Sequence, residues 1–263
     1  MRLYWEISKR AFQRQLTYRA ATLAGLATNF FFGMLRASVL IALFHGKAEI
    51  AGMTVRDAIT YTALTQATIA FLSLFSWYEV MDSVYSGAIS ADMLKPMSFF
   101  NYWLAQDTGR AVASFILRGL SIIIAYALFF ELSYPADISQ WAAFILVLLL
   151  SWLISFSWRF LVNLAAFWTP NALGIGRLAF ILSWFLSGFF MPLRFFPDWV
   201  VKICYLTPFP YTINVVVEVY LGLVESSELG WVILAQVAWI VLLISAATVT
   251  LRAGVRRLEI LGG

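Results

Sequence analysis

Side chains that could perform chemistry are scarce in this sequence. It contains one cysteine, Cys204, and one histidine, His45, among 263 residues. A single thiol forms no internal disulfide, and a single imidazole does not make a multi-histidine metal site. The alternative interpretations, an ordinary apolar cysteine and a loop histidine, suit both residues better. We therefore expect no redox chemistry, no metal site and no catalytic residue.

The sequence also lacks a nucleotide-binding loop. The pattern G-x-x-x-x-G-K-[ST], whose backbone amides surround nucleotide phosphates, does not occur. No paired carboxylates, histidine cluster or activated nucleophile lie at the boundaries of the apolar segments. We therefore predict that the chain is not an enzyme and holds no cofactor of its own.

Composition indicates a membrane protein. Hydrophobic residues make up 62% of the chain and charged residues 12%. Several apolar runs reach the ~18 residues that a membrane-spanning helix needs. Seven apolar segments are present, at 20–44, 58–78, 108–130, 141–168, 173–192, 199–221 and 230–251. The first is too long for the core of a cleaved signal peptide, so we predict a retained span.

Basic residues at the two chain ends indicate the topology and account for the net charge of +4 without a nucleic-acid partner. The positive-inside tendency puts both termini in the cytoplasm, which requires an even number of spans. Segment 199–221 is the weakest candidate, because two prolines and two charges interrupt it. We predict an all-α polytopic protein of the cell (inner) membrane with six transmembrane helices, in which residues 193–222 form a re-entrant outer segment.

Polar residues recur on one face of several predicted spans. In the first span they are Gly25, Asn29, Gly33 and Arg36, and in the second Thr62, Thr65, Gln66 and Ser73. Two later spans carry Arg110, Ser114, Arg118 and Ser121, and Ser151, Ser155, Arg159 and Asn163. Small and hydroxyl residues favour close helix contact in membranes. We predict that the first two stripes face a subunit interface or a translocation path. The alternative for each arginine is a structural role, paired or snorkelling.

Arg36 lies near the middle of the membrane in the first predicted span, where a charge is costly. An arginine near mid-bilayer costs about 2.5–3.5 kcal/mol, whereas each Leu, Ile, Phe or Val returns about 0.3–0.6 kcal/mol. The eleven such residues between positions 20 and 44 outweigh that cost. The span therefore inserts, and Arg36 requires a partner or water.

Residues 79–106 form the longest polar interruption between apolar segments. Apolar residues recur there at nearly helical spacing, namely Met81, Val84, Tyr85, Ile89, Met93 and Leu94. Three acids lie between them, Gly87 interrupts the pattern, and Lys95–Pro96 ends it. We predict a cytoplasmic amphipathic helix whose apolar residues enter a groove on a protein partner and whose acids set the register. A helix resting on lipid is the alternative, but anionic headgroups would favour bases.

Two other segments have their own predicted structure within a single membrane domain of residues 1–263. Residues 1–19 are predicted to form an interfacial amphipathic helix, because Trp, Tyr and Arg suit the headgroup layer. A simple continuation of the first span is the alternative. Between the fifth and sixth spans, two short helices at 199–206 and 210–221 are predicted to flank Thr207–Pro208.

Taken together, these features resemble the membrane subunits of ABC exporters of the ABC-2 (type V) class, in the subgroup of ABC-2 family transporter proteins of this length. The resemblance covers the whole chain and rests on three features in order. They are the basic N-terminal helix, the segment from Gly87 to Leu94-Lys95-Pro96, and LSGFFMPLRFFPDWV followed by TPFPYTINVVVEVYLG. The second feature is similar to a coupling helix that sits on an ATPase, and the third to re-entrant extracellular helices.

The resemblance implies roles for particular residues. Those of the coupling segment are Glu79, Asp82, Tyr85, Gly87, Asp92, Lys95 and Pro96. Those of the re-entrant element are Gly188, Pro192, Pro197, Pro208, Tyr211 and Gly222. The implied partners are a cytosolic ABC ATPase dimer that binds ATP and magnesium, a second permease copy or paralogue, and membrane lipids. The implied function is export of a hydrophobic or amphipathic compound, such as a drug, a lipid or a glycolipid-like molecule.

Two other function classes compete with this interpretation. A secondary transporter generally needs acidic groups at membrane depth, and Glu218, on the broken segment, is the one acid that we consider for that role. A membrane enzyme or assembly scaffold has no supporting constellation of reactive residues in the sequence. Both are therefore disfavoured relative to the ATP-driven permease.

Overall fold

The computed structural model describes residues 2–17, 19–169 and 171–257, and of residues 19–21 it describes the backbone only. Met1 and Tyr18, which belong to the predicted interfacial helix, lie outside the described residues. The described chain is almost entirely α-helical, as predicted. Its α-helices are α1 (Arg2–Thr17), α2 (Arg19–Phe44), α3 (Val55–Leu72), α4 (Glu79–Tyr85), α5 (Ile89–Met93), α6 (Phe99–Ser114), α7 (Leu120–Phe129), α8 (Ile138–Asn163), α9 (Ala172–Leu186), α10 (Asp198–Tyr205), α11 (Asn214–Tyr220) and α12 (Ser226–Val255).

Short irregular elements join some of these helices. A π-helical turn, Phe115–Gly119, makes α6 and α7 continuous, and a 3-10 turn, Leu164–Phe167, extends α8. A second 3-10 turn is Leu193–Phe195. The strands β1 (Glu49–Ile50) and β2 (Met53–Thr54) pair antiparallel in a small hairpin between α2 and α3.

Four helices within the described ranges are long and apolar enough to cross a membrane. They are Thr22–Phe44, Phe99–Phe129, Ile138–Phe167 and Ser226–Val255. This agrees with a polytopic helical membrane protein, whereas the count of six spans remains a prediction. The two other predicted spans correspond to α3, with 18 residues, and α9, with 15 residues.

Helix α3 lies at the centre of the bundle. Every residue from Ala58 to Leu72 is buried, and the helix packs against α2, α6, α7, α8 and α11. Thr54 and Asp57 start it with a reciprocal capping box, in which each side chain accepts a hydrogen bond from the other's backbone N–H. Because protein surrounds α3, its threonines and Gln66 are kept away from lipid.

The two ends of the bundle contain different parts of the chain. At one end the Arg14 and Glu79 side chains are 3.9 Å apart, and the Arg257 guanidinium lies 5.9 Å from the centre of the Trp168 ring. At the other end Arg194 donates to the carbonyl of Ala51 at 2.8 Å. The end of α1, the start of α4 and the end of α12 therefore share one face of the protein.

Helix α1 is a separate element that crosses α6. The hydroxyls of Tyr4 and Thr108 are 2.6 Å apart, and Ser8 donates to the carbonyl of Ala105 at 2.9 Å. Gly109 allows this approach, because a Cβ there would overlap the Ser8 carbonyl and lie 2.8 Å from the backbone nitrogen of Phe12. The packing of α1 on α6 disfavours a simple continuation of α2.

Two short helices occupy the region between α9 and α12, as predicted. Helices α10 and α11 have eight and seven residues, so each is far shorter than a membrane span. All seven residues of α11 are buried, and the helix packs on α8. The segment therefore folds into the bundle, and its re-entry from the outer side remains a prediction.

Candidate functional site

The segment predicted to couple to a partner consists of two helices instead of one. Helices α4 and α5 are separated at Gly87, which has a φ of +73°, and α5 ends before Lys95–Pro96. The predicted break and stop are therefore correct. The segment ends earlier than position 106, because the Ser98 hydroxyl caps α6 by accepting a hydrogen bond from the backbone N–H of Asn101 at 3.3 Å.

Several apolar side chains of this segment are used by the protein's own core. Met81 is fully buried against Val162 and Ala172, and Ile89 is buried in the cluster that contains Phe156. The expectation that these two side chains enter a groove on a partner is therefore wrong. Burial of apolar surface inside the same chain leaves none of it for a partner.

Helix α4 is anchored at both ends. The Asn163 side chain of α8 accepts a hydrogen bond from the backbone N–H of Met81 at 3.1 Å and donates to the carbonyl of Trp77 at 2.7 Å. The Tyr85 hydroxyl donates to the carbonyl of Thr169 at 3.0 Å and accepts from the N–H of Ala172 at 2.9 Å. A displacement of α4 therefore acts directly on α8 and on the start of α9.

The acids of the segment are in three different environments. Glu79 lies beside Arg14; burial raises the pKa of its carboxyl, and Arg14 opposes that effect. Asp92 accepts hydrogen bonds from Ser83 at 2.8 Å and from Lys95 at 2.5 Å, so it holds α4, α5 and the following turn together. Asp82 is exposed.

An exposed surface remains, and we call it the docking face. It consists of Asp82, Tyr85, Ser86, Gly87, Ala88, Ser90, Ala91, Leu94 and Pro96, which are all exposed. Leu94 is 87% exposed, and Asp82 supplies a negative charge. The docking face is therefore smaller and more polar than the sequence predicts, and it surrounds the Gly87 turn.

A buried charge cluster, formed by Asp107, Arg110 and Arg159, lies next to α4. Asp107 accepts hydrogen bonds from Arg110 Nε at 2.7 Å, from Arg159 Nη2 at 2.9 Å and from Trp152 Nε1 at 2.9 Å. The Arg159 guanidinium also lies 5.2 Å from the centre of the Trp77 ring. The cluster therefore links α6 and α8 to the residues that precede α4.

Arg110, the other arginine of the charge cluster, hydrogen-bonds to the C-terminal end of α3. Arg110 donates to the carbonyls of Ala70 at 2.7 Å and Phe71 at 2.9 Å, which belong to the last turn of α3. Arg110 and Arg159 therefore have the paired, structural role that we weighed as the alternative for each arginine.

Asp107 is the buried acid beside the coupling segment that the sequence pattern does not single out. The predicted polar segment ends at Gln106, so the prediction does not include this acid at membrane depth. The signal that could have revealed it is the i, i+3 spacing of Asp107 and Arg110 on a helix. Because Asp107 is already bound by two arginines, it adds no free carboxylate for proton or sodium coupling.

Some residues of the first two polar stripes meet at a groove of about 520 Å³, which we call the Arg36 groove. Asn29 and Arg36 reach it from α2, and Gln66 reaches it from α3. Its walls are mainly aromatic and include Phe32, Phe75, Trp184, Phe189 and Phe190. The groove lies between α2, α3 and α9.

The remaining residues of these stripes point elsewhere. Thr62 donates to the carbonyl of Ala58 at 3.0 Å, and Thr65 donates to the carbonyl of Tyr61, so both hydroxyls bond to their own helix. Ser73 ends α3 with a φ of +49°. Thr62, Thr65 and Ser73 are not among the residues that line the Arg36 groove.

The residues of the predicted re-entrant element stabilise the turn after α9. Gly188 has a φ of +77°, and a Cβ there would lie 2.7 Å from the Tyr61 hydroxyl. That hydroxyl donates to the Gly188 carbonyl at 2.6 Å and to Asn214 Oδ1 at 3.1 Å. The side chain of Asn214 also accepts from the N–H of Leu193 at 2.9 Å. One buried asparagine thus joins α3, α11 and the end of α9.

The other members of this element have local roles. Pro192 precedes the 3-10 turn, and Pro197 is the N-cap residue of α10. Pro208 is buried in the turn between α10 and α11. The Tyr211 carbonyl accepts a hydrogen bond from Gln236 at 3.0 Å, and Gly222, with a φ of +71°, follows α11.

The described residues contain no group of three or more His, Cys, Asp or Glu that could hold a metal ion. The site instead consists of an anchored pair of helices at one end of a membrane bundle and a groove with an aromatic wall beside α2.

Comparison with protein families identifies the class. Residues 30–262 match the family model described as ABC-2 family transporter protein, so the chain belongs to this family. It is thus a multi-pass membrane permease of the ABC transporter type, a transport subunit that generally lacks an ATPase site of its own and works with a separate ABC ATPase subunit. No curated protein matched the chain.

Proposed function

We propose that the chain is the membrane half of an ATP-driven exporter that moves a hydrophobic or amphipathic compound out of the cytoplasm. An ATPase dimer that binds ATP and magnesium would close beneath the docking face and move α4. The observation that carries this proposal is the double anchoring of α4 through Asn163 and Tyr85. It joins an exposed surface to two membrane helices, and this connection supports the proposal because coupling needs a continuous physical link.

In this proposal six helices cross the cell (inner) membrane. They are α2, α3, α6 with α7, α8, α9 and α12. The end of the bundle with Arg14, Glu79 and Arg257 faces the cytoplasm, because the positive-inside tendency favours basic residues there. Both termini are then cytoplasmic, and the hairpin β1–β2 and residues 193–222 face outward.

A second permease half, identical or paralogous, completes the path. One bundle of this size is too small to enclose a route for a large amphiphile. Helix α2 presents Phe31, Phe32, Leu35 and Val39 on its exposed side, next to the Arg36 groove. This surface would face the second half or lipid, and the groove would open toward the path.

The competing classes have less support. A secondary transporter needs a titratable acid at membrane depth, but Asp107 is bound by two arginines and Glu218 accepts a hydrogen bond from Arg194 at 2.9 Å. A scaffold without an ATPase does not explain why an exposed segment is tied so directly to α8 and α9.

Copurification tests the proposed class. The chain, tagged at its C-terminus, is isolated from its native membranes in mild detergent, and the bound proteins are identified and quantified. We expect a P-loop ATPase in a one-to-one ratio with the chain and ATP hydrolysis by the complex. Recovery of folded chain without any P-loop ATPase, under conditions in which a known ABC complex stays intact, would sink the proposal.

A further inference from the structure

Arg36 in the Arg36 groove is incompletely hydrogen-bonded. Its Nη1 donates to the carbonyl of Phe189 at 2.5 Å, and the guanidinium lies 4.6 Å from the centre of the Phe189 ring. Its Nε and Nη2 atoms are buried and have no hydrogen-bond partner within the described ranges. Buried donors without partners are rare in folded proteins, so these two atoms require an explanation.

The two unused nitrogen atoms belong to the same edge of the guanidinium. The N–H groups of Nε and Nη2 point in parallel, and this edge matches the two oxygens of a carboxylate or a phosphate. The bond from Nη1 to Phe189 fixes the plane of the group, and the matching edge has no hydrogen-bond partner among the described residues. An oxyanion is therefore the ligand that this geometry fits.

The protein supplies no such anion among its described residues. The buried Asp107 is bound by Arg110 and Arg159, and Glu218 is bound by Arg194. No salt bridge of the described chain includes Arg36. Among its described residues, a second identical copy offers the same two buried acids, already paired, so with such a partner we look for the anion in a bound ligand.

The surroundings of Arg36 indicate what else that molecule contains. Asn29 and Gln66 line the same groove, and their amides make no hydrogen bond to other described residues. The remaining wall is aromatic and aliphatic, and it opens sideways at Phe32 and Val39, which are 58% and 61% exposed. A polar head at Arg36 with an apolar tail along this opening satisfies both parts of the surface.

Arg36 also lies at a suitable depth. It is about 21 Å along the helix from Thr22 and about 12 Å from Phe44, at 1.5 Å per residue, so it lies within the candidate span and away from both of its ends. A headgroup held there is surrounded by the span's apolar residues.

We propose that the Arg36 groove binds an amphiphile with one acidic headgroup, a carboxylate or a phosphate diester, as the compound that the exporter moves. Arg36 holds the oxyanion through Nε and Nη2, the amides of Asn29 and Gln66 donate to its other oxygens, and the apolar tail packs on Phe32 and Phe190. The claim that this amphiphile is the transported substrate rests on the proposed function. The claim that the groove binds it does not.

Native mass spectrometry of the purified chain tests the binding. Dioleoyl phosphatidylglycerol and dioleoylglycerol have the same tails and differ in the phosphate diester, and oleate and oleyl alcohol form the matching carboxylate pair. We expect at least about a tenfold preference for each acidic member, as two charge-assisted hydrogen bonds imply. The variant Arg36→Gln should lose the preference. Arg56→Gln, which removes an arginine bonded to the carbonyl of Leu132 outside the groove, should keep it.

Each outcome of this comparison decides something. An unchanged preference in Arg36→Gln overturns the proposal, and so does an equal loss in Arg56→Gln, because net charge alone would then explain binding. If the preference disappears only in Arg36→Gln and the bound acid fits no detergent or buffer component, the site is supported. The ATPase copurification described above is unaffected by these results, so the two proposals fail separately.

A second measurement does not depend on folding of the Arg36 variant. Trp184 lines the Arg36 groove. The difference in fluorescence between the wild-type chain and Trp184→Phe is therefore the emission of a tryptophan in this groove. We expect dibrominated phosphatidylglycerol to quench this difference signal more than dibrominated diacylglycerol does, in nanodiscs of otherwise equal composition. Equal quenching overturns the site.

The substrate claim is tested on the complex with its ATPase. Oleate or phosphatidylglycerol should stimulate ATP hydrolysis by the complex. Arg36→Gln should abolish this stimulation, whereas Arg56→Gln should keep it. Tight binding of the acidic lipid without stimulation would mark a structural lipid and contradict the claim that the acidic amphiphile is transported.

Discussion

Removal of the negative charge in the charge cluster should strongly destabilise the protein. In Asp107→Asn, Arg159 loses the carboxylate that both its Nη1 and Nη2 bind, at 3.1 and 2.9 Å, while Arg110 keeps the carbonyls of Ala70 and Phe71. A buried arginine that is left without its partner costs about 3–5 kcal/mol. We expect a loss of that size in the free energy of unfolding, mainly from Arg159.

Unfolding in mixed micelles with increasing SDS measures this loss. The control is Asp198→Asn, which makes the same chemical change at an exposed residue and should alter stability by less than about 0.5 kcal/mol. Replacing both partners, in Asp107→Asn with Arg159→Met, should restore part of the stability, because no unpaired charge remains. If Asp107→Asn is as stable as the control, or if the double variant is less stable than the sum of its single changes, the reasoning is refuted.

Three further predictions concern the topology, the turn after α9 and the anchor of α4. Cysteines introduced at Asp198 and Ser226 should be labelled by an impermeant reagent from outside; labelling only from inside would reverse the topology. Gly188→Ala should destabilise the protein by about 2–4 kcal/mol, because of the positive φ and the contact with Tyr61, whereas Gly230→Ala, which faces open space, should not. Asn163→Leu should increase amide hydrogen exchange in α4 and reduce coupled ATP hydrolysis, whereas Asn101→Leu, at an exposed residue, should do neither. Equal exchange in the two variants would contradict the claim that Asn163 anchors α4.

The elements with local signals could be predicted from the sequence. Gly87 and Lys95–Pro96 bound the helices of the coupling segment, and the prolines around residues 192–210 break the chain into α10 and α11. These boundaries depend on backbone conformation, which a residue and its neighbours largely determine. The apolar runs likewise predicted the long helices.

The partners of polar residues could not be predicted, because they come from distant parts of the chain. Arg159 binds Asp107, 52 positions away, and Asn163 binds the backbone of Met81, 82 positions away. The amphipathic pattern of α4 was recognised, but periodicity does not tell whether an apolar face packs on the same chain or on a partner. That is why Met81 and Ile89 were assigned to the wrong surface.

The Arg36 groove could be predicted from the sequence only in part. The sequence predicts that Arg36 needs a partner or water, and the structure supplies one carbonyl and leaves two nitrogen atoms unpaired. Of the neighbouring stripe, Gln66 reaches the groove, while Thr62 and Thr65 bond to their own helix. A helical stripe is wide enough to include both kinds of residue, so only the structure separates them.

The central claim is that the docking face transmits ATPase movement to the membrane helices, and a double charge reversal tests it most directly. Glu79→Lys with Asp82→Lys reverses the charge of two acids at the end of the bundle that we propose faces the ATPase. Asp82 is exposed, and the Glu79–Arg14 pair, at 3.9 Å, is solvent-accessible and contributes at most about 1 kcal/mol, so the fold should persist. The matched control, Glu225→Lys with Glu228→Lys, makes the same charge change at the opposite end, at residues that are also exposed.

The measurement is the amount of ATPase that copurifies with each folded, membrane-inserted variant, together with transport-coupled ATP hydrolysis. We expect the Glu79 and Asp82 variant to lose most of the bound ATPase or of the coupled hydrolysis, because charge complementarity sets the orientation of docking. The control should retain both. Unchanged association and coupling in the Glu79 and Asp82 variant would contradict the assignment of α4 and α5 as the coupling element.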